Sequence, residues 1–142
     1  MAKTTAFANN FLKLIFNATA WVNVADNASA SPLTNLYVSL HTADPGVTGD
    51  QTTNETTYTG YARQAVARTT GGWSVSNNVV SPVSNIVFPV STSGTPTCGY
   101  FAIGSASFGA GNRFYNGTVT PNIVVSTSVV QTLTTGSTIT ES

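Results

Sequence analysis

Charge is scarce in this sequence: five Lys and Arg and five Asp and Glu leave only 7% of its 142 residues charged. A typical globular domain carries about a quarter. Nucleic acid is held by clustered Lys and Arg that release counterions from phosphates, and Arg63, Arg68 and Arg113 are too few and too scattered for that. The shortage does not signal disorder, which combines low hydrophobicity with high net charge; 41% of the chain is hydrophobic, 10% is aromatic and the formal balance is zero. Cysteine is nearly absent as well. A lone Cys98 excludes an internal disulfide and any zinc site built on several thiolates. Within the apolar run Cys98–Ile103 it reads as a buried small hydrophobe.

Long apolar runs are also missing. No stretch approaches the roughly 18 residues of a membrane span, and the N-terminal segment is broken by Asn9, Asn10, Lys13 and Asn17, unlike a secretory signal. These features predict a soluble chain made in the cytosol, with no membrane partner. The length suits one domain over residues 1–142, and a fold of this size buries about 68–70% of its unfolded surface without metal or disulfide.

What fills the space left by charge is Thr, Ser and Asn, together roughly a third of the chain. Such neutral hydrogen-bonding surface suits strands, where Thr is favoured, and equally suits contact with copies or partners. Only one segment has helical periodicity. Phe7, Phe11, Leu14, Ile15, Ala18 and Trp21 or Val22 recur at three-and-four spacing, and Thr4 or Thr5 supplies an N-cap, predicting a helix over about 5–17. Residues 24–34, rich in Ala, Ser, Asn and Asp, read as a loop.

Beyond residue 35 the pattern is of strands: Leu36–His41, Tyr61–Arg68, Trp73–Ser76, Val83–Val90, Cys98–Ile103, Arg113–Asn116, Ser128–Thr134 and Ser137–Thr140. Pro121 is expected to interrupt before Ile123–Val125. Ala43-Asp44-Pro45-Gly46, Gly71-Gly72 and Gly109–Asn112 are turn signals. Regularly spaced short strands of this kind predict a mainly β fold, an antiparallel β-sandwich over about 35–142 with one N-terminal amphipathic helix. Cys98–Ile103, the most apolar run, is the expected central strand.

Candidate chemistry is thin. His41 is the only conventional general base, Asp44 follows it across a Pro-Gly turn, and no Gly-x-Ser-x-Gly elbow exposes a serine; a strand-end histidine with a satisfied hydrogen bond is the expected role. Asp26, Asp44, Asp50, Glu55 and Glu141 all fall in predicted loops or at the C-terminus, where solvation should leave them ordinary and unfit for paired-carboxylate catalysis. Asp44, Asp50, Asn54 and Glu55 are hard oxygen ligands in one loop, but their spacing matches no EF-hand. No cofactor and no metal is expected. Tyr58, Tyr61, Trp73, Tyr100, Phe101 and Tyr115 could stack on a sugar, although strand aromatics mostly point into a core.

The order of these parts resembles a known family. The stretches Leu36-Tyr37-Val38-Ser39-Leu40-His41-Thr42-Ala43-Asp44-Pro45-Gly46 and Tyr58-Thr59-Gly60-Tyr61-Ala62-Arg63 carry most of the likeness. Ala65-Val66, Gly72-Trp73, Ile86–Pro89, Tyr100–Gly104 and Leu133–Ile139 extend it over nearly the whole chain. It is similar to small tailed-bacteriophage structural proteins often labelled tail-fibre-like, and above all to the capsid cement, or decoration, proteins. The resemblance implies a jelly-roll sandwich that dimerises on the capsid exterior and clamps adjacent major capsid subunits, with no catalytic motif. An alternative within the virion is a tail or fibre component that binds a host glycan. For the clamp, the expected self-association or capsid interface is the helix face of Phe7, Phe11, Leu14 and Ile15 with Trp21, together with the loop that carries Asp44, Pro45, Asp50 and Asn54.

Overall fold

A computed structural model describes residues 3–21 and 32–142. The expected loop over 24–34 lies outside these residues up to position 31, as do Val22 and Asp26. The fold is mainly β, with antiparallel sheets and one short N-terminal helix, as a β-sandwich requires. Two compact units share the chain. One draws on Met1–Asn35, Val66–Asn85 and Thr134–Ser142, the other on Leu36–Ala65 and Ile86–Leu133.

In the first unit, helix α1 (Thr5–Phe16) packs on a three-stranded sheet of β3 (Trp73–Ser76), β4 (Val79–Pro82) and β9 (Ile139–Thr140), in the order β3-β4-β9. The helix starts where the Thr4 hydroxyl accepts the Phe7 N–H at 3.2 Å, which satisfies a donor that no helical carbonyl can reach. It stops where Ala18 turns into the left-handed region at φ 51° and Thr19 N–H returns to the Lys13 carbonyl at 3.1 Å. Ala8, Leu12 and Phe16, at i, i+4 and i+8, are the residues it buries. Phe16 meets Trp73 edge-on with ring centroids 4.9 Å apart. The periodicity drawn through Phe7 and Phe11 therefore marks a different face from the one that packs inward.

The second unit holds β1 (Asn35–His41), β6 (Thr97–Gly104) and β7 (Arg113–Val124), which with β2 (Gln64–Ala67) form a sheet in the order β2-β1-β6-β7; β5 (Ile86–Phe88) and β8 (Gln131–Leu133) form a two-stranded sheet. β6 is the expected central strand, flanked by β1 and β7, and Cys98 within it is a buried free thiol. The β1–β6 register sets Val38 opposite Ile103 and Leu40 opposite Phe101. Because side chains alternate across a strand, those four line one face, while Ser39, His41, Ala102 and Gly104 line the other.

The expected strands Tyr61–Arg68, Ser128–Thr134 and Ser137–Thr140 shorten to Gln64–Ala67, Gln131–Leu133 and Ile139–Thr140, and three further differences have a local cause. Val79–Pro82 is a strand that periodicity missed, because Asn77, at φ 54°, makes the tight first turn position of a β3–β4 hairpin. The apolar run 83–90 yields only Ile86–Phe88. Pro121 does not end its strand: β7 continues to Val124 through a bulge opposite Gly99, since an edge strand can place a residue without an N–H on its open side.

Candidate functional site

The second unit opens a cleft of about 570 Å³ between the segments 52–63 and 107–109. Its floor is an ion pair. Arg63 Nε and one terminal nitrogen donate to the two oxygens of Glu55, each at 2.7 Å, with the side chains only 2% and 14% exposed. Two further N–H groups of Arg63 reach the carbonyls of Ala106 at 2.9 Å and Gly109 at 2.8 Å. Tyr61 closes the ring of partners: its hydroxyl donates to Glu55 Oε1 at 2.9 Å and accepts from Leu40 N–H at 3.1 Å. Burial first, and then the neighbouring carboxylate, push the Tyr61 hydroxyl far above its ordinary range, so it stays a donor. The Glu55 hydrogen bonds raise the Arg63 guanidinium further. Tyr58, buried beneath, is pushed up to about 12, mainly by desolvation. At the lip stands Phe108, 83% exposed.

Glu55 thus departs from the expectation that all five acids are ordinary and solvated. It bridges back to His41 as an extension of β1, which carries it off the loop surface and under Arg63. Neither partner was legible as such, since eight residues separate them and no periodicity marks ion pairs.

His41 is wholly buried. Its Nδ1 lies 2.8 Å from the Thr53 carbonyl and its Nε2 2.8 Å from Ser39 Oγ. A carbonyl only accepts, so Nδ1 carries the proton and Nε2 accepts a hydrogen bond from the Ser39 hydroxyl. Desolvation is the main reason its pKa falls below the usual value. Ser39 beside a histidine has the spacing of an activated nucleophile, but both are fully buried, and the pair fastens β1 to the following loop.

That loop, the expected interface at Asp44, Pro45, Asp50 and Asn54, is stitched to itself. Asp44 accepts from Gly46 N–H at 2.9 Å and Asn116 Nδ2 at 3.0 Å. Asp50 accepts from the N–H and hydroxyl groups of Thr52 and Thr53, and these bonds, led by the Thr52 hydroxyl, hold its carboxyl below the usual range. Asn54, in the left-handed region at φ 58°, donates to the Asp44 carbonyl at 2.9 Å. Pro45 is buried, while Val47 at the tip is fully exposed. Arg113 reaches over from β7 to the Gly46 and Gly49 carbonyls. Buried Gln51 accepts from Ala106 N–H at 2.9 Å, filling space left by two glycines; a Cβ at Gly104 would lie 2.2 Å from its Cδ. Among the described residues no group of three or more His, Cys, Asp or Glu could hold a metal ion, and no helix is long and apolar enough to cross a membrane.

In the first unit, the expected helix residues stand apart from the buried face. Phe7 is 44% exposed, and Phe11, Leu14, Ile15 and Trp21 are half-buried. Phe7 stacks on Phe11 at 6.4 Å and meets Trp21 edge-on at 5.1 Å, so three aromatic rings form one outward cluster. Arg68 finishes the helix by donating to the carbonyls of Leu14 at 2.5 Å and Ile15 at 2.6 Å, where the macrodipole favours a cation. Of the aromatic residues considered for sugar stacking, Tyr58 and Tyr61 meet edge-on with ring centroids 5.3 Å apart and both line the cleft, while Phe101 is buried and Trp73 belongs to the first unit, where it is buried too.

Residues 2–140 match the model of the family described as Podophage GP4 fiber I protein gp80. No curated protein matches the chain. Matched over nearly its entire length, the chain belongs to this podophage family and is a fibre-like structural component of a bacteriophage virion.

Proposed function

We propose that the protein decorates the outer surface of a bacteriophage capsid and cements it, clamping adjacent major capsid subunits as a non-enzymatic homodimer of jelly-roll type added to the shell in the host cytoplasm. The observation that supports this most is preorganisation. Arg63, Arg68 and Arg113 each hold loop or helix-end carbonyls, and Asp44, Asp50 and Asn54 tie down the 44–54 loop. A surface ordered in advance loses little conformational entropy on docking. The half-exposed cluster of Phe7, Phe11 and Trp21 with Leu14 and Ile15, and the Val47 tip, supply apolar contact with almost no charge to desolvate. An ordinary contact of about 800 Å² per partner suffices, because repetition over a shell makes the clamp multivalent. The chain should be recovered with purified capsids at near-stoichiometric copy number, and capsids lacking it should open at lower temperature. Phe11→Asp should abolish retention on capsids. Recovery only in isolated tails, at a few copies, overturns the reading.

A second reading, a fibre component that binds a host glycan, draws on the cleft over Glu55 and Arg63. Exposed Phe108 at its lip offers a stacking face, with Thr52, Thr57 and Ser107 hydroxyls nearby. Phe108→Ala should then abolish binding on a glycan array without unfolding the protein; an array on which the wild-type chain binds nothing defeats this reading.

A further inference from the structure

The cleft of the second unit presents an aromatic ring to solvent on a backbone that is held still. Phe108 is 83% exposed at the lip. The carbonyls on either side of Ser107 and Phe108, those of Ala106 and Gly109, both accept from Arg63, at 2.9 Å and 2.8 Å. Gly109 then turns the chain at φ 73°, in the left-handed region that favours glycine. A ring displayed on a backbone fixed at both ends loses little conformational entropy when a ligand covers it. In the floor, the Glu55 carboxylate has acceptor capacity to spare. Among the described residues Oε1 accepts from Tyr61 and Arg63, and Oε2 from Arg63 alone, whereas a carboxylate offers about four lone-pair sites. Its side chain keeps 14% exposure. The hydroxyls of Thr57 and Ser107, both exposed residues of the lining, make no hydrogen bond among the described residues.

Charge limits what such a cleft takes. Arg63 is the one cation among the described lining residues, its side chain is 2% exposed, and four of its N–H groups are engaged. A ligand anion therefore meets a carboxylate with no free cation to answer it, a juxtaposition that is strongly disfavoured. A ligand cation gains little, because Arg63 already neutralises Glu55. What fits is an uncharged group with hydroxyls to donate to Glu55 and an apolar face to lie on Phe108. A pyranose ring has both, C–H bonds on one face and hydroxyls around its rim. We propose that the cleft binds an uncharged sugar, its C–H face on Phe108 and a hydroxyl donating to the Glu55 carboxylate, and that it rejects sugars bearing a carboxylate. Hydrogen bonds to an ionised acceptor are the stronger kind, and the cleft's volume of about 570 Å³ is that of a small-ligand site. The inference rests on the second reading above, a cleft that binds a host glycan, and adds the charge class of that glycan; it holds wherever on the virion the chain sits.

An array of neutral oligosaccharides, each beside a matched one ending in hexuronic or sialic acid, tests this with the full-length protein, and titration calorimetry then measures the tightest pair. The wild type should bind a neutral sugar and hold its acidic counterpart about tenfold more weakly or worse. Phe108→Ala should weaken neutral binding by about tenfold with an unchanged circular dichroism spectrum, and Phe108→Trp should retain it. Ser107→Lys sets a free cation in the lining at an exposed position, so it should close most of the gap between neutral and acidic sugars. Acidic sugars bound as tightly as neutral ones, or a gap that Ser107→Lys leaves unchanged, overturns the inference while a glycan-binding cleft stands. An array on which nothing binds, or neutral binding that survives Phe108→Ala, overturns the inference and the glycan reading of the cleft together.

Discussion

Arg63 grips Glu55 with two parallel N–H···O bonds, both 2.7 Å, inside a unit where each side chain is all but sealed from water. The same guanidinium holds the Ala106 and Gly109 carbonyls, so a single residue positions both walls of the cleft. Removing one partner strands the other charge in a poorly solvated site. Arg63→Met should lower unfolding free energy by about 3–5 kcal/mol. Lysine cannot reproduce the fork, so Arg63→Lys should recover only part of it. Urea unfolding of the two variants and of a Glu55→Gln, Arg63→Met double variant checks this; the double variant should be more stable than Arg63→Met alone.

Stability should fall with acid because of His41. Its folded pKa is depressed by burial, so the unfolded chain takes up the proton first, near its ordinary value of about 6.5. The stabilising contribution is complete above that pH and is lost as pH falls through the folded value. Melting temperature should drop below about pH 6.5, and the slope should flatten in His41→Gln measured over the same range. Asp50, also depressed, acts with the same sign at lower pH.

Gly104 and Gln51 fit only together. A Cβ at 104 would lie 2.2 Å from Gln51 Cδ and 2.6 Å from the Asn112 carbonyl oxygen. Gly104→Ala should cost about 1–3 kcal/mol, as overpacking does. Adding Gln51→Ala removes the side-chain clash and leaves the backbone one, so chemical denaturation should show partial relief.

The two helix faces should separate in stability measurements. Leu12 is fully buried, and Leu12→Ala should destabilise by about 2–5 kcal/mol through transfer and cavity terms. Phe7 lies on the outward cluster, so Phe7→Ala should cost far less in thermal unfolding while weakening retention on capsids.

Much of the architecture was legible from one-dimensional pattern. A threonine N-cap, which the structure assigns to Thr4 rather than Thr5, the helix bounds to within a residue, β1 at Leu36–His41 and the central β6 all follow from local propensity and hydrophobic runs, because these depend on neighbours in the chain. The helix periodicity misled where two apolar arcs lie side by side. Phe7, Phe11, Leu14 and Ile15 and the arc of Ala8, Leu12 and Phe16 both repeat at helical spacing, and only packing against Trp73 selects the second as the inner one.

Composition settled the scarcity of charge, the lone thiol and the strand-rich class, since those are properties of the residues themselves. Folding assigned each charge its task. Glu55 reads in sequence as one more loop acid and becomes the half-buried partner of Arg63. Arg68 and Arg113 read as scattered bases and become donors to carbonyls more than fifty residues away. An ion pair or a capped helix end is a relation between distant positions, and its strength comes from exclusion of water, which exists only once the chain has closed around it.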